Sequence, residues 1–211
     1  MSKQKNLTLG TVLFEGFELL DVYGPLEMFG NVGEQLKIVM VAEKAGLVTS
    51  AQGPRSVADY GFGDCPHLDL IHIPGGFGAI PQAQNPAMLK FLCDRSHAAQ
   101  LTLSVCNGSG LIAAAGILDG RQATTNKQFF HLVAAQGKRV NWIEKARWVD
   151  DGDIISSSGV SAGMDMALAV IQRLFGKDTA EAIAAATEYE WHRDPFWDPF
   201  VKYLDQGKLP K

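Results

Sequence analysis

The 211-residue chain is poor in cysteine: Cys65, Cys93 and Cys106 are all it has, widely spaced and odd in number. That usage excludes a disulfide scaffold and fits a reducing compartment. Clusters of lysine or arginine are absent, and a formal net charge of -4 leaves no basic footprint for nucleic acid. No apolar run approaches membrane-spanning length, so no membrane partner is expected. The segment Met1 to Asn6 ahead of the first strand is short and polar, without signal-peptide form, which points to the cytoplasm. His67, His72, His97, His131 and His192 show no metal-ligand spacing, so no metal site is expected. Repeats, low-complexity segments and linkers are also missing. With 46% hydrophobic residues the chain has enough for one substantial core, and one domain over 1–211 is the economical expectation.

What is present is an alternation of short apolar strands and helices. Strand character appears at Leu7 to Phe14, Leu36 to Ala42, Leu68 to Ile73 and Leu101 to Val105. Helices are expected at Phe17 to Gly30, Pro86 to His97, Leu111 to Leu118, Thr125 to Gln136, Val160 to Phe175 and Thr179 to Glu188. Gly46 to Gly63 reads as an irregular or hairpin insertion. Lys145 to Ser156 reads as a hairpin turning at Asp150-Asp151-Gly152. This pattern predicts an α/β fold with a mainly parallel central sheet flanked by helices.

One junction carries chemistry. Leu101-Thr102-Leu103-Ser104-Val105 runs into Cys106 and then Asn107-Gly108-Ser109-Gly110, which places the cysteine on a sharp strand-to-helix turn. A thiol there faces the N–H groups and dipole of a helix N-terminus, which favour thiolate. Gly108 and Gly110 let the helix start close to the strand. Ser104 stands where the serine-nucleophile pattern has glycine, so the match is partial, and the competing reading is a core cysteine at a strand end. Cys93 reads as a packing residue on a helix, and Cys65 as a loop thiol without a catalytic neighbourhood.

Asp21 is the second unusual position. Helical spacing sets it on one stripe with Phe17, Leu20, Gly24 and Met28, a carboxylate on a face that should be buried. Such a group needs a partner, either backbone donors in a loop or the elbow thiol. Pro25 lacks an N–H, so it cannot bond the carbonyl of Asp21 four residues earlier. After the strand ending at Ile73, Pro74-Gly75-Gly76-Phe77-Gly78 does not fit the dinucleotide fingerprint. Its use is to bring backbone N–H groups close to a substrate: Gly75 and Gly76, with Asn107, are the candidate oxyanion and pocket positions, against an ordinary strand-to-loop turn. The tail from Tyr189 to Tyr203 gathers Trp191, Phe196, Trp197 and Phe200, and reads first as a packing or dimer segment and second as a pocket wall.

These elements, in this order, resemble the ThiJ/PfpI superfamily, a class I glutamine amidotransferase-like group, and within it the isocyanide hydratases and their relatives. The matching stretches run from Gly16 to Glu27, Ile73 to Gly76, Ser104 to Gly108, Ala114 to Thr125 and Ser158 to Asp165, nearly the whole chain. The resemblance implies a flavodoxin-like sandwich, usually a homodimer, with Cys106 as nucleophile and Asp21 as its acidic partner. It implies a cofactor-independent lyase adding water to a small isocyanide through a Cys106 thioimidate. A glyoxalase- or deglycase-like activity on reactive carbonyls and a cysteine-oxidation sensor use the same residues. PfpI-type proteases carry histidine after the cysteine and isocyanide hydratases usually threonine, where this chain has Asn107; the Thr-Thr-His block of close relatives reads Thr124-Thr125-Asn126. The domain also resembles the ligand-binding half of some AraC-type regulators. An end at Lys211 leaves no room for a helix-turn-helix module, so that reading is set aside.

Overall fold

The structure, a computed structural model, describes residues 6–207. Apart from Asn6, the polar N-terminal segment read above lies outside the described residues, as does the end of the chain at Lys211. In chain order the elements are β1 (Leu7–Val12), α1 (Leu19–Gly30), β2 (Leu36–Val41), β3 (Gly46–Thr49), β4 (Arg55–Ala58), β5 (Leu70–Ile73), α2 (Ala79–Gln82) and α3 (Pro86–Ala98). There follow β6 (Leu101–Val105), α4 (Gly108–Ala114), β7 (Gln122–Ala123), α5 (Phe130–Ala134), β8 (Asn141–Trp142), β9 (Trp148–Asp150), β10 (Ile154–Ser157), α6 (Ala162–Phe175) and α7 (Lys177–Ala186).

Six strands form the central sheet in the order β2-β1-β5-β6-β10-β9, all pairs parallel except β10 with the edge strand β9. The expected α/β architecture is the one observed. Every residue of β5 and β6 is buried, because helices cover both faces of the sheet and neither face of a central strand meets water. On one face Val39, Val41, Ile71 and Ile73 pack with Phe91 and Leu92 of α3 and Leu111 and Ile112 of α4. On the other, Leu9, Leu70, Leu103 and Ile155 pack with Met28 and Phe29 of α1 and Met166 to Ile171 of α6. Truncating a core side chain such as Leu103 to alanine costs about 2–5 kcal/mol.

The 46–63 insertion is a hairpin, β3 with β4, outside the central sheet. The Asp-Gly turn joins β9 to β10 as read. α1 begins at Leu19, since Phe17 instead bridges Ser50, and its buried face is Asp21, Gly24, Pro25 and Met28 with Leu20 half exposed; the expected stripe is rotated accordingly. α4 begins at Gly108, three residues before the expected start at Leu111. The largest correction is the expected helix from Thr125 to Gln136, which exists only as α5. Before it, the backbone is tied down by side chains: Thr124 Oγ1 donates to the Ile143 carbonyl at 2.8 Å, Thr125 Oγ1 to the Cys106 carbonyl at 2.9 Å, and Asn126 Oδ1 accepts from Phe129 N–H at 2.9 Å. Threonine and asparagine compete with helical bonds in this way.

Candidate active site

The site lies at the carboxyl ends of β5, β6 and β10, the edge where parallel sheets present their loops. Cys106 has φ +57°, a left-handed conformation that costs a non-glycine residue about 1–3 kcal/mol. Three contacts hold it. Its N–H donates to the Ser158 carbonyl at 3.1 Å, and its carbonyl accepts from Ser109 Oγ and Thr125 Oγ1, both at 2.9 Å. A Cβ on Gly108 would stand 2.4 Å from the Ile73 carbonyl, so glycine is what lets α4 start against the end of β5.

Asp21 is completely buried in the first turn of α1. Its Oδ2 accepts from Gly75 N–H at 2.8 Å. Oδ1 has no well-formed hydrogen bond among the described residues, and the Cys106 thiol and Val160 N–H are the groups near enough to bear on its charge. Burial, with the Glu18 charge adding, pushes the Asp21 pKa up to about 8 against the Gly75, Cys106 and Val160 contacts. Behind it, the carbonyl that Pro25 leaves without a helical donor faces the buried ring of His72, whose Nδ1 lies 3.3 Å from Thr11 Oγ1. Burial lowers the His72 pKa to about 4, so this histidine is neutral.

The expectation of a thiolate held by the helix terminus is corrected. Burial and then the Asp21 charge push the Cys106 pKa well above the ordinary thiol value, and the Asn107 and Val160 N–H groups offset this incompletely. A short helix cannot outweigh removal of the sulfur from water. Burial thus shifts both groups the same way, towards a carboxylic acid beside a thiol.

The Gly75-Gly76 turn is also used differently from the expectation. Gly75 N–H is committed to Asp21, and Gly76 N–H donates to Asn107 Oδ1 at 2.7 Å while Asn107 Nδ2 donates to the Gly76 carbonyl at 2.9 Å. Neither glycine N–H is free to meet a substrate. The backbone donors that bear on the Cys106 sulfur are those of Asn107 and Val160. Val160, itself at φ +45°, was not singled out as a site residue from the sequence. What brings it here is the sheet: β10 pairs with β6 in the register Ser157 to Val105, so the turn after β10 must lie beside the elbow.

Cys106 opens onto a cavity of about 370 Å³ whose wall includes Phe77, Asn126, Phe129, Phe200 and Tyr203. The tail thus supplies pocket wall at Phe200 and Tyr203, while Trp191 is buried and donates from Nε1 to the Asp165 carbonyl at 3.2 Å. Buried charges fasten this wall: Arg147 donates from Nε and Nη2 to Asp165 Oδ2 at 2.9 and 2.8 Å and lies 3.5 Å from Asp198, and Lys127 Nζ donates to the Ala146 carbonyl at 2.7 Å. Burial lowers the Lys127 pKa to about 8. Cys65 and Cys93 do not line the cavity. Among the described residues no three His, Cys, Asp or Glu side chains are grouped so as to hold a metal ion, and no helix is long and apolar enough to cross a membrane.

The family model described as "DJ-1/PfpI family" matches residues 10–173. The chain is 34% identical over 183 residues to an isonitrile hydratase of Pseudomonas putida, an alignment covering 87% of this chain and 78% of that protein. It is 26% identical over 178 residues to the Parkinson disease protein 7 homolog of Danio rerio, covering 82% of this chain and 93% of that one. A crystal structure of a ThiJ/PfpI family protein from Pseudomonas syringae superposes with a TM-score of 0.82 at 33% identity, covering 88% of this chain and 76% of the other. With the flavodoxin-like sheet order and the site at its carboxyl edge, these likenesses agree on one conclusion: the chain belongs to the DJ-1/PfpI family.

Proposed function

We propose that this protein is a cofactor-independent cysteine enzyme that hydrates a small isocyanide to its N-formamide, with Cys106 as nucleophile and Asp21 as proton carrier. The observation that carries the reading is the Asp21 carboxyl, buried beside the Cys106 thiol and pushed up to a pKa of about 8, so that it is an acid at neutral pH. Similarity to the Pseudomonas putida isonitrile hydratase supports the choice of substrate.

An isocyanide carbon accepts both a proton and a nucleophile. The Cys106 sulfur bonds to it, the carbon takes the Asp21 proton, and Asp21 takes the proton leaving the thiol. The product is a thioimidate, S–CH=N–R, with the carboxyl protonated again. Water then adds to that carbon, the C–S bond breaks, and the formamide leaves as the thiol is restored through Asp21. The Asn107 and Val160 N–H groups stabilise the sulfur as it loses its proton. The acid needs no metal, because it is supplied by a carboxyl kept neutral by burial.

Purified protein is incubated with phenyl isocyanide, and N-phenylformamide is followed by NMR, with methylglyoxal and peroxide in parallel. Formamide formed by the wild type and not by Cys106→Ser is the expected result. Lactate from methylglyoxal with isocyanide unchanged, or selective oxidation of Cys106 alone, overturns it.

A further inference from the structure

Asn126 is 7% exposed, lines the cavity with Cys106, and is held in one orientation because its Oδ1 accepts from Phe129 N–H at 2.9 Å. That leaves Nδ2 as a donor with no hydrogen-bond partner among the described residues. Because Asn126 lines the cavity, that donor is open to whatever the cavity holds. The other nitrogen-bearing side chains fixed in this wall are spent: Asn107 on Gly76, and Lys127 on Thr124 Oγ1 and the Thr125 and Ala146 carbonyls.

The backbone sets Asn126 beside the Cys106 elbow, in the wall of the same cavity. Its neighbour Thr125 bonds the Cys106 carbonyl at 2.9 Å. On its other side, a Cβ placed on Gly159 would come 3.1 Å from Asn126 Cβ, so the residue packs against the middle of the Ser158-Gly159-Val160 turn. At one end of that turn the Ser158 carbonyl accepts from the Cys106 N–H at 3.1 Å, and at the other the Val160 N–H bears on the charge of the sulfur.

We propose that Asn126 is a further catalytic residue, donating from Nδ2 to the nitrogen of the Cys106 thioimidate while water adds; this rests on the hydratase reading. An isocyanide nitrogen has no lone pair to accept a hydrogen bond, whereas the thioimidate nitrogen has one. The donor therefore has nothing to bind in the first step and an increasingly basic partner in the second. As the water oxygen bonds to carbon, the C=N π pair moves onto nitrogen. Nitrogen takes the Asp21 proton, and Asp21 recovers one from the water. Asn126 transfers no proton and lowers the energy of the developing lone pair, so its contribution belongs to the transition state for hydration alone.

The test is rapid mixing of wild type, Asn126→Asp and Asn126→Ala with phenyl isocyanide, following the Cys106 adduct by intact mass and N-phenylformamide by chromatography. Asn126→Asp keeps the oxygen that accepts from Phe129 and removes the donor; Asn126→Ala removes the donor without adding charge. Both are expected to form the adduct within about threefold of the wild-type rate and to release formamide about 10²-fold more slowly, so that adduct accumulates. Release at the wild-type rate in both variants overturns the assignment, as does adduct formation slowed as much as release. A wild type forming neither adduct nor formamide overturns the hydratase reading itself, and Asn126 with it.

Discussion

Asn107 and Gly76 are joined by two hydrogen bonds running in opposite directions, Gly76 N–H to Asn107 Oδ1 at 2.7 Å and Asn107 Nδ2 to the Gly76 carbonyl at 2.9 Å. The residue after Cys106 thereby buckles the end of β6 to the end of β5, and it keeps the preceding Gly75 N–H aimed at Asp21. Asn107→Ala opens the buckle. Each lost bond is worth about 1 kcal/mol, so the urea midpoint is expected to fall by an amount equivalent to about 2 kcal/mol. Hydration activity falls more steeply, because Asp21 loses its fixed donor. Unchanged stability and turnover in this variant would show that the buckle positions nothing.

The strained φ of +57° at Cys106 predicts a trade of activity for stability. Cys106→Gly is expected to abolish hydration and to gain up to about 1 kcal/mol of stability from release of strain, partly offset by lost packing. Cys106→Ser abolishes activity without that gain, since serine has the same backbone preference. Cys65→Ser and Cys93→Ser keep most of the activity, because neither lines the cavity. Thermal midpoints and isocyanide turnover on the four proteins check this.

Asp21 ties activity to pH. Its pKa is about 8, so the acid form dominates below that value, and kcat/KM is expected to be level near pH 6–7 and to fall as pH rises through about 8. The sign for stability follows from the same shift. The folded pKa lies above the ordinary 3.8, so the unfolded chain ionises first, and stability is lost progressively as pH rises from about 4 to about 8. Asp21→Asn removes that loss. Urea unfolding of wild type and Asp21→Asn at several pH values is expected to show a gap that widens up to about pH 8 and then stays constant.

His72 works in the opposite sense. Burial lowers its pKa from 6.5 to about 4, so below pH 6.5 the unfolded chain takes up a proton that the folded one refuses, and stability falls as pH drops towards 4. His72→Leu is expected to remove this acid sensitivity. At neutral pH it costs about 1–3 kcal/mol, because Thr11 Oγ1 loses its partner. An unfolding profile for His72→Leu as acid-sensitive as the wild type would show that His72 is not buried neutral.

Much of the architecture was legible along the chain because its causes are local. Leu70–Ile73 and Leu101–Val105 are uninterrupted apolar runs, as strands buried on both faces must be, and the glycines after Cys106 mark a turn that a bulkier residue could not make. Asp21 stood out because a carboxylate at a buried helical spacing is anomalous wherever the helix ends up. The helix expected from Thr125 misled at its start, where the side chains of Thr125 and Lys127 instead bond the Cys106 and Ala146 carbonyls, partners 19 positions away.

The sequence by itself determined the α/β alternation, the strand-to-helix turn at Cys106 and the anomalous carboxyl at Asp21, since each is a property of neighbouring residues. The tertiary structure alone decided that Asn107 takes the Gly76 N–H, that the turn carrying Val160 lies beside the elbow, that Phe200 and Tyr203 wall the cavity, and that burial drives both Asp21 and Cys106 towards their protonated forms. The reason is physical. Hydrogen-bond pairing and desolvation depend on which distant segments the sheet register brings together, and no periodicity in the chain carries that information.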